Sequence, residues 1–159
     1  MLERTIAEIR GDEIADETSV SINLGVDVSI PKDYISEASQ RLRTYKRISS
    51  AETEGTLMQI HAEIEDRYGR IPRSVDNLFA YGRLRKLGER MHIVSIDQAP
   101  NGVAIKLGES AIVSPDKLMR FLGENKGSTF SPSGILRVEI VPGENPISRA
   151  AEILELVRQ

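Results

Sequence analysis

His92 to Leu107 reads HIVSIDQAPNGVAIKL: two apolar runs, His92 to Ala99 and Val103 to Leu107, around Pro100-Asn101-Gly102. Asn-Gly between apolar runs is a strong short-range hairpin signal, because both residues tolerate the positive φ of a tight reversal. Downstream, Ser128–Ser131 and Ile135–Val141 flank Pro132-Ser133-Gly134, which predicts a second hairpin. Between the hairpins Ser114-Pro115-Asp116 marks a helix start, with Ser114 as cap and Pro115 in the first turn. That helix runs to about Leu122 and stops at Gly123. After Pro142-Gly143 a last helix, about Pro146 to Arg158, puts Ile147, Ala150, Ile153, Leu154 and Val157 on one buried stripe.

Working back from the first hairpin, Ser19 to Ile30 places Val20, Ile22, Leu24, Val26, Val28 and Ile30 at period two. This predicts a half-buried strand, bent at Gly25 and ended by Pro31. Three helices follow. The first, about Lys32 to Ile48, is expected to turn Ile35, Ala38, Leu42 and Tyr45 inward. The second, about Ser50 to Tyr68, buries Leu57, Ile60, Ile64 and Tyr68, with Gly69 as cap and Pro72 preventing continuation. The third, about Arg73 to Met91, turns Leu78, Leu84, Leu87 and Met91 inward. Gly82 and Gly88 inside it each cost about 1 kcal/mol relative to Ala, so close packing is the expected reason for them. The order β-ααα-ββ-α-ββ-α predicts an α+β fold: a small, mostly antiparallel sheet with segregated helices. Residues 1–18 read as a linker from something upstream, and 19–159 as a single domain.

The 159 residues contain no cysteine, which excludes thiol catalysis, Cys-based zinc sites and disulfides, and suits a reducing cytoplasm. Apolar stretches are too short to span a bilayer, so no membrane association is expected. No G-x-x-x-x-G-K-[ST], G-x-G-x-x-G or G-x-S-x-G occurs, which leaves no phosphate cradle and no nucleophile elbow. Gly123-Glu124-Asn125-Lys126-Gly127 lacks the Lys-Ser/Thr ending and reads as a turn. His61 and Glu65 are four apart, but a metal site needs a third protein ligand, and His92 opens a strand far off in sequence. Glu63, Glu65 and Asp66 sit on a highly charged helix face, without the burial that tunes a catalytic carboxylate. No catalytic residue, metal or cofactor is expected within this chain.

Charge is blocked rather than mixed. The total is 21 basic against 24 acidic residues, net −3. Residues 1–18 carry −4, 32–47 carry +3, 52–66 carry −5 with no Lys or Arg, and 67–90 carry +5. Such blocks set partner choice and orientation across an interface, or else compensate one another on a solvated surface.

Ile30-Pro31-Lys32-Asp33-Tyr34-Ile35, then Arg41-Leu42-Arg43-Thr44-Tyr45-Lys46-Arg47-Ile48, carry a distinctive spacing. So do Glu63-Ile64-Glu65-Asp66-Arg67-Tyr68-Gly69-Arg70-Ile71-Pro72 and the Leu78 to Leu87 segment with Arg83-Leu84-Arg85. Over about residues 19–92 the chain resembles the C-terminal (TRCF) domain of the bacterial transcription-repair coupling factors. To its end the likeness is weaker, in the same element order. The resemblance implies membership in a large ATP-driven double-stranded DNA translocase, whose ATPase motifs lie in other domains. Such a protein displaces stalled RNA polymerase and recruits the repair protein UvrA through a UvrB-like N-terminal region. It further implies a cytoplasmic, non-catalytic regulatory domain that packs on the UvrB-like domain and masks the UvrA-binding surface, an autoinhibitory clamp.

Glu63 and Asp66, three apart, project from one face of the second helix, with Gln59 one turn earlier and the buried stripe opposite. Carboxylates on a rigid helix suit arginine forks, and the family's UvrA-binding surface bears arginines. The resemblance therefore implies that Glu63 and Asp66, flanked by Gln59, are the partner-binding residues. In the bland alternative Asp66 pairs with Arg67 or Arg70 and Glu63 is solvated. A different class of function, an auxiliary nucleic-acid-binding module, would use Arg41, Arg43, Arg47, Arg83, Arg85, Lys86 and Arg90. Net charge and 4% aromatics argue against it, since stacking platforms are scarce.

Overall fold

The computed structural model describes residues 20–159, so the linker expected over residues 1–18 lies outside the described part. Its elements are β1 (Ser21–Asn23), α1 (Ala38–Ser50), α2 (Glu54–Tyr68), α3 (Arg73–Arg90), β2 (Ile93–Ala99) and β3 (Gly102–Leu107). Then come α4 (Pro115–Glu124), β4 (Thr129–Phe130), β5 (Ile135–Glu139) and α5 (Pro146–Val157). This is the order and the α+β class that the periodicities predict. The chain forms two compact units: a helical unit, Gly25–Lys86, and a sheet unit, Leu87–Gln159 with the described residues up to Leu24.

In the sheet unit the strands lie in the order β1-β2-β3-β5-β4, with β1 parallel to β2 and the other pairs antiparallel. Ile96 faces Ile105, Ile105 faces Leu136 and Val103 faces Val138, which rows the apolar side chains across one face. All five are buried, as are all five predicted stripe residues of α5. α5 packs on β3, and α4 packs beside it through buried Leu118 and Phe121. The Ser114 hydroxyl accepts from Lys117 N–H at 3.2 Å and the Asn145 carbonyl from Ile147 N–H at 2.9 Å, so both helices start on capping side chains behind an N-terminal proline.

The first hairpin turns one residue earlier than its Asn-Gly suggests. Ala99 pairs with Gly102, leaving Pro100 and Asn101 at the corner, and Asn101 takes φ 62°. Proline first and a positive φ second is the type II arrangement. Gly102 serves another purpose: a Cβ there would collide with the Val138 carbonyl of β5.

The helical unit departs further from expectation. Of the described residues of the predicted strand Ser19 to Ile30, only Ser21–Asn23 joins a ladder. The alternation persists, with Val20, Leu24 and Ile30 buried, and the chain turns at Gly25, φ 69°. α1 begins at Ala38, not Lys32. Tyr34 and Ile35 N–H both bond the Pro31 carbonyl, closing one isolated turn, and Glu37 is extended (φ −86°, ψ 127°) before the helix starts. That break resets the helical phase. Thr44 and Ile48 face inward, while Ala38 is exposed and Leu42 is 57% exposed. Buried Thr44 donates its hydroxyl to the Gln40 carbonyl at 2.9 Å, which removes the cost of an unpaired hydroxyl. α2 starts at Glu54, capped by Thr53, and ends at Gly69 with φ 96°. Ile30, Ile35, Ile48, Leu57, Ile60, Ile64, Val75, Leu78 and Phe79 close into one core. In α3, Gly82 lies against Ile48, and Gly88, in the sheet unit, lies so close to Val20 that a Cβ would come within 3.0 Å.

Candidate functional site: a charged ridge on the second helix

α2 is anchored on its inner side by Leu57, Ile60 and Ile64. Its outer side carries Gln59, Ala62, Glu63 and Asp66, all exposed. Spacings of three and four align them along the helix axis, so the ridge is as rigid as the buried stripe behind it. Tyr34 fixes the C-terminal end. Its hydroxyl donates to the Gly69 carbonyl at 2.8 Å, and its ring lies 5.8 Å from that of Tyr68. Burial first, then the charges of Glu65 and Asp76, push the Tyr34 hydroxyl above its ordinary pKa and keep it a donor.

The three predicted residues thus share one exposed face but differ in state. Glu63 has a partner: its Oε1 accepts from Arg47 Nη2 of α1 at 2.8 Å, with both side chains roughly half exposed. Asp66 forms no ion pair with any described residue, Arg67 and Arg70 included. Arg67 instead lies over the Tyr68 ring, 5.3 Å from its centroid. The opposed charge blocks at 32–47 and 52–66 meet in the Arg47–Glu63 cross-helix pair. Which residues meet follows from the phase of α1, which the break at Glu37 sets.

Several basic residues of the nucleic-acid reading are committed internally. Arg83 Nε donates to both oxygens of Glu54 at 2.9 Å, and Lys86 Nζ lies 3.5 Å from Glu52. Arg41 bonds the carbonyls of Ile35 and Ser36 at 2.8 and 3.0 Å. The acidic block around α2 therefore neutralises part of the basic blocks on either side. His61 turns to Asp76, Nε2 to Oδ1 2.9 Å, and sets its ring edge-on to Phe79, rather than joining Glu65. Among the described residues no three metal-ligating side chains converge.

One groove lies beside the ridge, between α1 and α2, lined by Arg43, Arg47, Glu63 and Arg67 among others, with a volume of about 110 Å³. A second, in the sheet unit, is lined by Lys117, Arg120, Phe121, Glu124 and Leu156 and holds about 140 Å³. Both are well below the roughly 300 Å³ at which small-molecule and cofactor pockets begin. Among the described residues no helix is long and apolar enough to cross a membrane.

Fold and ridge together define a class: a small α+β domain with its distinctive chemistry on a charged outer helix. The family model of the TRCF domain matches residues 24–118, and the chain belongs to that family. It is similar to a transcription-repair-coupling factor of Haemophilus influenzae, 34% identical over 67% of this chain and 9% of the relative. A second such factor, from Rickettsia typhi, is 28% identical over 97% of this chain and 14% of its own length. The chain therefore spans about a tenth of the curated relatives that it matches. Among solved structures, a crystal structure of the C-terminal domain of transcription-repair coupling factor superposes with a TM-score of 0.73 at 17% identity. That match covers 87% of this chain and 89% of the other and shows a shared fold.

Proposed function

We propose that this chain is a non-catalytic C-terminal regulatory domain of a transcription-repair coupling factor. In this reading it packs through the outer ridge of α2 on the UvrB-like domain of the same protein and hides the UvrA-binding surface. The parent would be a cytoplasmic, ATP-driven DNA translocase that displaces stalled RNA polymerase, with its motor chemistry in other domains. The observation that carries the proposal is Asp66. It is an exposed carboxylate with no described counter-ion, whereas Glu54 and Glu63 of the same helix are paired with Arg83 and Arg47, so it can take an arginine fork from outside. Gln59, one turn before Glu63, adds an amide to the same face.

The test is made in the full-length protein. Replacing Glu63 and Asp66 together by Ala is expected to raise UvrA capture and basal ATPase activity. Asp66→Ala alone should supply the larger share, since Glu63 already has a partner in Arg47. Unchanged capture and ATPase activity in a double variant with a native circular dichroism spectrum would show the ridge to be solvated surface. The same preparations in a low-salt gel shift address the nucleic-acid alternative, for which tight, salt-sensitive binding through the basic helices is the signature.

A further inference from the structure

The groove next to the ridge has the opposite preference from the ridge itself. Arg43, Arg47 and Arg67 line it with Gln40 and Thr44, and Glu63 is the one carboxylate among its lining side chains. Three guanidiniums against one carboxylate leave a local surplus of two positive charges. The Arg47–Glu63 pair occupies one acceptor and one donor face only. Among the described residues Arg43 and Arg67 form no ion pair, and Arg67 stacks on Tyr68. A volume of about 110 Å³ accepts the head of one acidic side chain and excludes a nucleotide. We infer that this groove is a receptor for a carboxylate: the partner that brings arginine to Asp66 also seats an aspartate or glutamate between Arg43 and Arg67.

Charge complementarity selects that occupant. A phosphate backbone laid along the groove would run past Glu63, Glu65 and Asp66, while a single side-chain carboxylate reaches the guanidiniums without crossing the ridge. Glu63 is then an internal competitor. It holds Arg47 in the free domain, so the groove's anion affinity is lower than three arginines would give. The docking surface is bipolar, with an acceptor ridge and a donor groove side by side. Bipolarity fixes one orientation of the partner, because a half-turn would put like charges together.

This rests on the ridge being a docking face, and two measurements separate the claims. In the full-length protein, Arg43→Gln with Arg67→Gln should raise UvrA capture as the Glu63 and Asp66 double variant does. If only the acidic variant opens the protein, the groove assignment falls and the ridge stands; if neither does, both fall. Independently, arginine Nε–H resonances of the 159-residue chain are followed by NMR in sodium acetate against sodium chloride at matched ionic strength. Saturable, acetate-specific shifts of Arg43 and Arg67 are expected, weakened about tenfold by the double glutamine variant. Glu63→Gln should tighten acetate binding by releasing Arg47, although it removes a ridge carboxylate. Shifts that match in chloride, or that ignore Glu63→Gln, overturn the proposal. So does duplex DNA binding that the same arginine pair controls and acetate does not displace.

Discussion

Among the described residues the two units place their ion pairs differently. In the helical unit ion pairs tie separate elements together: Arg47 to Glu63, Arg83 to Glu54, Lys86 to Glu52 and His61 to Asp76 are 15 or more residues apart in sequence. In the sheet unit Arg149–Glu152 and Arg158–Glu155 are three-residue spacings at the C-terminal helix. The apolar interiors differ correspondingly. The sheet unit interleaves a row of strand residues with five fully buried positions of α5, whereas the helical core is closed by side chains from loops as well as helices, Ile30 and Ile35 among them. A layered interior can be built from periodicity alone. Helices that meet through loop residues rather than on a sheet gain fixation at their rims from polar contacts.

If burial carries the sheet unit, its largest single loss lies beneath the sheet. Leu154 is 0% exposed. Leu154→Ala should lower unfolding stability by about 2–5 kcal/mol, through lost transfer energy and the cavity left behind. A shift in the urea midpoint worth less than about 1 kcal/mol would mean that the site collapses freely and that the layers are not close-packed. Either result bears directly on the contrast between the units.

A medium effect sharpens the other side. Tyr34 ties the turn before α1 to the end of α2 through the Gly69 carbonyl, and its pKa is raised by burial, then by Glu65 and Asp76. A raised folded-state pKa means that the stabilisation is fully present below the unfolded value, near 10, and drains away as pH climbs through the folded value. Tyr34→Phe should cost about 1 kcal/mol at neutral pH and flatten the alkaline fall of stability. Parallel alkaline limbs in the two proteins would place the titration elsewhere.

What the sequence disclosed follows the same divide. Element order, both hairpins, the capping residues Ser114 and Gly69 and the complete α5 stripe were legible, because each is written in local periodicity or turn chemistry. The α1 stripe was legible only in part: Ile35 is buried and Tyr45 packs against the core, whereas Ala38 and Leu42 are exposed. Ile35 to Tyr45 satisfies helical spacing on paper, yet the isolated turn at Pro31 and the extended Glu37 rotate everything after them, bringing Thr44 inward and leaving Leu42 outside. A buried threonine satisfied by its own helix carries no apolar signal, so nothing local corrects the phase. The ridge was legible as a face, from the spacing of Gln59, Glu63 and Asp66. The Arg47–Glu63 pair was not, since it depends on that same rotation. Charge blocks gave the signs of the tertiary pairs without their partners.

The smallest effect is the most discriminating. A double-mutant cycle on Arg83 and Glu54 probes a contact in which one Nε reaches both carboxylate oxygens at 2.9 Å, with the two residues 29 apart in sequence. A cycle on Arg158 and Glu155 probes a single 3.3 Å approach at the end of one helix. Both pairs are roughly half exposed, so coupling in the first should fall within about 0.2–1 kcal/mol. In the second it should be near the lower edge of that range, because residues three apart in sequence are already close in the unpaired state. Raising the salt to about 1 M, where screening extends only some 3 Å, should shrink the first coupling more than the second, since it has more to lose. Equal couplings at low salt would erase the distinction between charge that joins helices and charge that merely decorates one. A larger coupling at Arg158 would reverse it, assigning the cross-element pairs of the helical unit to chance proximity on a crowded surface.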